Sequence, residues 1–288
     1  MNNIVQCKSE WLKTGIRWAA LVLICLAFLF ISFFTYKKFF PNTPVAERAD
    51  CLVDADNDPT IATVQGPGWL KKQKRLILDA QQINPQIVLL GDSITYRLSL
   101  TGPGAKNDYS QVFQEYQSAG RTANLGIFGD TSANILWRVQ NGGLAGIHPG
   151  VLVLLVGAND RHCHWSVEHT VKATKEIVRQ IQIQLPDTRI IVEGQLPREG
   201  ESRYIDLNKQ LAMALSGMPH VYFEDLSDLF FQDGEFRQDA FLESPAKALH
   251  PSPTGAALIA GKIVPLITRL LSETASPSDM NQPDDTHE

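Results

Sequence analysis

Cysteine is scarce in this chain: four in 288 residues (Cys7, Cys25, Cys51 and Cys163), none in a CxxC pair. That density excludes a small fold held together by a disulfide framework. An excess of positive charge is also missing. The 31 acidic residues against 26 Lys and Arg leave a net charge of −5, so no nucleic acid is expected as a partner. No internal repeat is visible, and Gly102-Pro-Gly-Ala-Lys106 lacks the spacing of a phosphate loop. Lys and Arg are absent from residues 272–288, which hold five acids and read as a disordered acidic tail.

The most telling absence is of charge between Trp18 and Tyr36, a run of 19 residues, WAALVLICLAFLFISFFTY. As a helix it is about 28 Å long, against about 30 Å for a hydrocarbon core. Lys8, Lys13 and Arg17 precede it and Lys37 and Lys38 follow, a small basic excess that puts the N-terminus in the cytoplasm. A cleaved signal peptide is the rival, but its apolar region is shorter and ends at a small-x-small site. The run therefore predicts a short cytoplasmic N-terminus (1–17), a transmembrane signal anchor (18–36) and a linker (37–68) rich in Pro, Asp and Thr. A domain over 69–271 would then lie outside the cytoplasm: periplasmic, extracellular or lumenal. Disulfides persist there, and Cys51 and Cys163 are the two cysteines able to pair.

Beyond the linker, strand and helix patterns alternate. A helix is expected from Trp69, with Leu70, Ile77, Ala80 and Ile83 inward, ending before Pro85. Apolar strands follow at 87–90, 122–125, 151–156, 189–193 and 221–223. Helices are expected near 133–139, over 167–185 and 204–216, and from Pro253 to about Leu271, with a helix or loop around Tyr109–Tyr116. Val171, Thr174, Ile177, Val178, Ile181 and Leu185 recur at helical spacing. Val151 to Val156 is wholly apolar, as a strand covered on both faces should be. The alternation implies an α/β fold with a five-stranded parallel sheet and helices on both faces.

In such sheets, ligands bind beyond the carboxyl ends of the strands. The first strand runs into Gly91-Asp92-Ser93, a turn sequence that can expose the serine. The second leads to Gly129, whose backbone N–H could turn into the same cleft, and the third to Asn159, whose amide could donate there. His250 stands just before the closing helix. Acyl transfer needs a nucleophile, a base and donors for the developing oxyanion. Ser93, His250 and the group of Ser93 N–H, Gly129 N–H and Asn159 would supply all three. Asp92 and Asp160 read as turn or cap residues, and Trp137 and Trp165 as packing residues. His162-Cys163-His164, with His169 beyond, matches no usual zinc spacing.

These four segments resemble the four blocks of the SGNH (GDSL-type) hydrolases, in order. Asn124-Leu-Gly-Ile-Phe-Gly-Asp-Thr, Ile135-Leu-Trp-Arg138, Asn141-Gly-Gly, Val156-Gly-Ala-Asn159 and Gln195-Leu-Pro-Arg198 are similar to segments of the alpha subunits of platelet-activating-factor acetylhydrolase. The resemblance covers about 200 residues. It implies a three-layer, flavodoxin-like fold and a serine esterase that uses no metal and no cofactor, with catalytic roles for Ser93, His250, Gly129 and Asn159. The family pattern also puts an aspartate three residues before the histidine, where this chain has Lys247. A lysine cannot accept from the imidazole, and it disfavours the imidazolium. Glu243, Asp239 or a backbone carbonyl could replace it, with Glu243 favoured; otherwise a Ser–His dyad remains, or a site that has decayed.

The reading is a membrane-anchored esterase acting on short acyl, acetyl-type esters of glycans or lipids; a homodimer is compatible with it. An acyltransferase, or a silent domain that keeps the pocket for binding, is the alternative.

Overall fold

The computed structural model of the chain describes residues 61–100, 107–244 and 247–273. The chain divides into two compact units, Met1–Arg48 and Ala49–Glu288, and every described residue belongs to the second. The expected anchor at 18–36, most of the linker, Cys51 and the acidic tail from residue 274 lie outside the described residues.

Helix α1 (Pro67–Ile83) leads into β1 (Ile87–Gly91), α2 (Ser93–Arg97), α3 (Ser110–Ala119) and β2 (Thr122–Asn124). Then come α4 (Ser132–Gln140), β3 (Val151–Leu155), α5 (Ala158–His162), α6 (Val167–Gln184) and β4 (Arg189–Glu193). Helix α7 (Arg203–Leu215), β5 (Val221–Glu224), a small hairpin of β6 (Phe231–Gln232) and β7 (Glu235–Phe236), and α8 (Pro253–Ser272) follow among the described residues. The five long strands form one parallel sheet in the order β2-β1-β3-β4-β5. This order reverses direction beside β1, and such a switch point opens a crevice at the strand ends.

Two-residue periodicity in the strands divides the core between the two faces of the sheet. Ile87, Leu89, Val151, Val153, Leu155 and Ile191 pack on one side with Val112 and Tyr116 of α3 and Ile259, Ile263 and Ile267 of α8. Val88, Leu90, Leu152, Leu154, Ile190 and Val192 pack on the other with Ile135 and Val139 of α4 and Ile177 and Ile181 of α6. By length and hydropathy α8 could cross a membrane. Its Ile259, Ala260, Ile263, Ile267 and Leu270 are instead buried in the core of this domain.

Helix α1 departs from the expected orientation. Trp69, Gln73, Ile77 and Ala80 are its buried residues, whereas Leu70 and Ile83 are 38% and 42% exposed. Two polar contacts turn the helix. Trp69 donates its indole N–H to Asp130 at 2.6 Å, and Gln73 reaches the carbonyl of Asn141 at 3.3 Å. The end of the linker is docked as well: Gln65 donates to Asp130 and Asn134 at 3.0 and 3.1 Å.

Candidate active site

Ser93 is the first residue of α2, directly beyond the end of β1. The turn needs glycine at 91, since a Cβ there would lie 2.1 Å from Thr95 Oγ1 and 2.7 Å from the Leu155 carbonyl. Asp92 caps the helix, its Oδ1 accepting the Ile94 N–H at 2.8 Å. Ser93 is therefore held in a fixed, buried position, 3% exposed.

The loops after β2 and β3 meet it. Gly129 takes a left-handed φ of +86° in the turn before α4. The next residue, Asp130, is fully buried. Its Oδ2 pairs with Arg138 Nη1 at 2.7 Å, while Arg138 Nη2 also donates to the Leu125 carbonyl. Asn159 Nδ2 donates to the Asp130 carbonyl at 2.8 Å and lies 3.4 Å from Asp92 Oδ2, which is the weaker of the two bonds. Asp160 braces α4 by accepting the Ser132 N–H at 2.8 Å. One buried network thus ties the segments of Ser93, Gly129 and Asn159 together.

His250 arrives from the other side. Its Nε2 is 3.0 Å from Ser93 Oγ, and its Nδ1 is 2.6 Å from Glu243 Oε1. Glu243 Oε2 accepts the backbone N–H groups of His250 and Leu249 at 2.9 and 3.2 Å. The loop between them is closed by Leu242 N–H on the His250 carbonyl at 2.9 Å. Lys247 occupies an exposed turn in that loop.

Electrostatics favour a neutral imidazole facing an ionised carboxylate. Burial lowers the pKa of His250 and the nearby Arg97 charge adds to this, against the opposing pull of Glu243. Partial burial alone would raise Glu243, but its bonds to the His250 ring and to two backbone N–H groups hold it below the ordinary glutamate value.

Two neighbours were given no role by the sequence. Phe128, 52% exposed, lays its ring against that of His250, with centroids 6.2 Å apart and planes at 21°. It lies inside the Asn124–Thr131 segment, but its place against the imidazole is set by the fold. Glu193 closes β4 and is buried on the Ile191 face. Desolvation, with the Asp92 charge nearby, pushes it up to about 8. It lines a narrow chamber of about 30 Å³ with Ile94, Tyr109, Tyr116, Leu155 and Ile259, room for about two waters. An acid directly after the apolar Ile190–Val192 of the strand was its available signal.

The histidines around Cys163 are dispersed. His162 and His164 are exposed, His169 is buried against Trp165 with centroids 4.3 Å apart, and Cys163 is disulfide-bonded. Among the described residues no three His, Cys, Asp or Glu side chains gather as metal ligands.

The family model described as GDSL-like Lipase/Acylhydrolase matches residues 89–258. The chain is 28% identical over 228 residues to the platelet-activating factor acetylhydrolase IB subunit alpha1 of Rattus norvegicus, covering 76% of this chain and 91% of the relative. To the alpha2 subunit of the same organism it is 30% identical over 214 residues, covering 72% and 86%. Among solved structures, a carbohydrate esterase family 3 protein from Talaromyces cellulolyticus superposes with a TM-score of 0.50 at 17% identity, covering 66% of this chain and 99% of that one. A member of the lipolytic G-D-S-L family from Veillonella parvula does so with a TM-score of 0.50 at 18% identity, covering 64% and 98%.

Proposed function

Since the chain belongs to the GDSL-like lipase/acylhydrolase family, a family of ester hydrolases, we propose that it is a membrane-anchored serine esterase with Ser93, His250 and Glu243 as its catalytic triad. One observation carries the reading: Ser93 Oγ, both ring nitrogens of His250 and the Glu243 carboxylate stand in line, at 3.0 and 2.6 Å. In this reading Ser93 attacks the ester carbonyl as Nε2 takes its proton. Glu243 keeps the proton on Nδ1, so that Nε2 is the basic nitrogen, and stabilises the imidazolium that forms. The tetrahedral oxyanion faces Ser93 N–H, Gly129 N–H and the Asn159 amide, which exchanges its 3.4 Å contact with Asp92 for the new anion. Each such donor contributes about 3–4 kcal/mol. The imidazolium then protonates the leaving alcohol, and a water activated by His250 releases the acid from the acyl-serine.

A short acyl group, acetyl first, follows the activity named in the two rat relatives. Anchoring through 18–36, with the hydrolase domain outside the cytoplasm, is part of the same proposal. Its supports are the 19-residue uncharged run and a disulfide-bonded Cys163, with Cys51 as the proposed partner. A fluorophosphonate probe tests the nucleophile. Labelling should map to Ser93 and vanish in Ser93→Ala, along with a loss of ester hydrolysis of about 10⁴-fold or more. Folded wild-type protein that takes no label would sink the reading.

A further inference from the structure

A cleft of about 340 Å³ is lined by Ala158, Arg161, His162, His164, Arg198 and Leu249. Two of its lining residues, Ala158 and Leu249, are the chain neighbours of Asn159 and His250. It is a separate space from the narrow chamber beside Glu193.

Its wall is cationic and incompletely compensated. Arg161 Nη1 binds Glu201 at 3.3 Å, while Arg198 Nε donates to the Ala248 carbonyl at 3.2 Å and lies 3.7 Å from the same Glu201 carboxylate. Arg203 stands close enough to disfavour charge on Arg161. Its Nη2 is bound to the Trp165 carbonyl at 2.7 Å, and its buried Nε has no acceptor. Among the described residues, no carboxylate other than Glu201 is in ion-pair contact with Arg161 or Arg198, and none is with Arg203. Glu199 lines the neighbouring groove instead. Burial lowers the pKa of Arg161, the Arg198 and Arg203 charges add to this, and Glu201 only partly offsets them. Two guanidinium groups around one carboxylate, with the Arg203 charge near Arg161, raise the local potential in a partly desolvated place, and a second anion would relieve it. The planar fork of a guanidinium suits phosphate or carboxylate in paired hydrogen bonds.

We propose that this cleft is a binding subsite for an anionic group, phosphate or carboxylate, carried on the alcohol portion of the substrate ester, with Arg161 and Arg198 as its donors. The proposal rests on the esterase reading and narrows its substrates to acidic esters.

The test compares acetate release, followed by pH-stat, from 2-acetoxyethyl phosphate, 3-acetoxypropanoate and neutral 2-methoxyethyl acetate, using the full chain. Wild type should favour an anionic ester in kcat/KM by about 10–100-fold, the worth of one charged hydrogen bond. In Arg161→Gln and in Arg198→Gln that ratio should shrink by about tenfold or more, mainly through KM, with Arg161→Lys intermediate. Which anionic ester leads identifies the group. Arg198 is the more exposed of the two, so its variant reports should Arg161→Gln fail to fold. A wild-type ratio near one, or a ratio that neither variant moves, overturns the subsite. If wild type cleaves none of the three esters, the esterase reading fails while the subsite is still read directly by calorimetry with inorganic phosphate. Phosphate binding that weakens in Arg198→Gln upholds it; no phosphate binding to wild type ends it.

Discussion

The two sides of the candidate site are built differently. On the nucleophile side, Asp92, Ser93, Asp130, Arg138 and Asn159 are all buried, and each is fixed by a strand end, a short helix or the Asp130–Arg138 ion pair. On the base side, Glu243 and His250 sit on a loop between the small hairpin and α8, where the Glu243 side chain is 31% exposed. There the position of the carboxylate is set by three hydrogen bonds rather than by packing. The contrast bears on the proposed triad, in which the acid is held by a loop and the nucleophile by the sheet. A loop that folds back on itself can bring a carboxylate to Nδ1 from seven residues away as well as from three, whereas shifting Ser93 would disturb the sheet.

Breaking the buried side should cost most. Arg138→Met leaves the buried Asp130 carboxylate without its counter-charge, held by the Trp69 and Gln65 donors, for an expected loss of about 3–5 kcal/mol and a fall in Tm of roughly 6–20 °C by calorimetry. A Tm within about 2 °C of wild type would remove that pair from the framework. Glu193 tests the same side through pH. Its folded pKa, about 8, lies above the ordinary 4.5. Between those values the folded protein holds a proton that the unfolded chain has released, so this group's contribution to stability falls as pH rises. Glu193→Gln should therefore melt higher than wild type near pH 8, with the gap closing toward pH 4.5; parallel curves would contradict the assignment. The smallest effect is expected on the loop side. Lys247→Ala should change kcat/KM for p-nitrophenyl acetate by less than about twofold, because an exposed turn residue faces bulk solvent. A larger change would mean that the lysine acts on the imidazole.

The sheet was legible because its strands are short aliphatic runs at regular intervals, and Val151–Leu155 and Arg189–Glu193 fall where the pattern puts them. Helix α1 was misread on one face. Its hydrophobic residues alone pointed Leu70 and Ile83 inward, but the bonds of Trp69 and Gln73 to distant partners set the rotation, and periodicity contains no such partners. The hairpin of β6 and β7 has two residues per strand, too few to show alternation. Ser93, Gly129, Asn159 and His250 were each marked by a strand end or a block, and the structure brings their segments together. Glu243 was one of three candidates because a loop closure leaves no period in a sequence. Phe128 and Arg198 lie in segments similar to the family, but their positions, and that of Arg161, come only from the fold.

The most direct measurement is the pH profile of kcat/KM for p-nitrophenyl acetate in Glu243→Gln beside wild type. In wild type the acid limb should lie below the ordinary histidine value of 6.5. The variant should fall about 10³–10⁴-fold. Its acid limb should move lower still, because the contribution that raises the pKa of His250 is gone while burial and Arg97 remain. A variant that keeps its rate within about twofold, with the limb unmoved, would contradict a triad completed by Glu243.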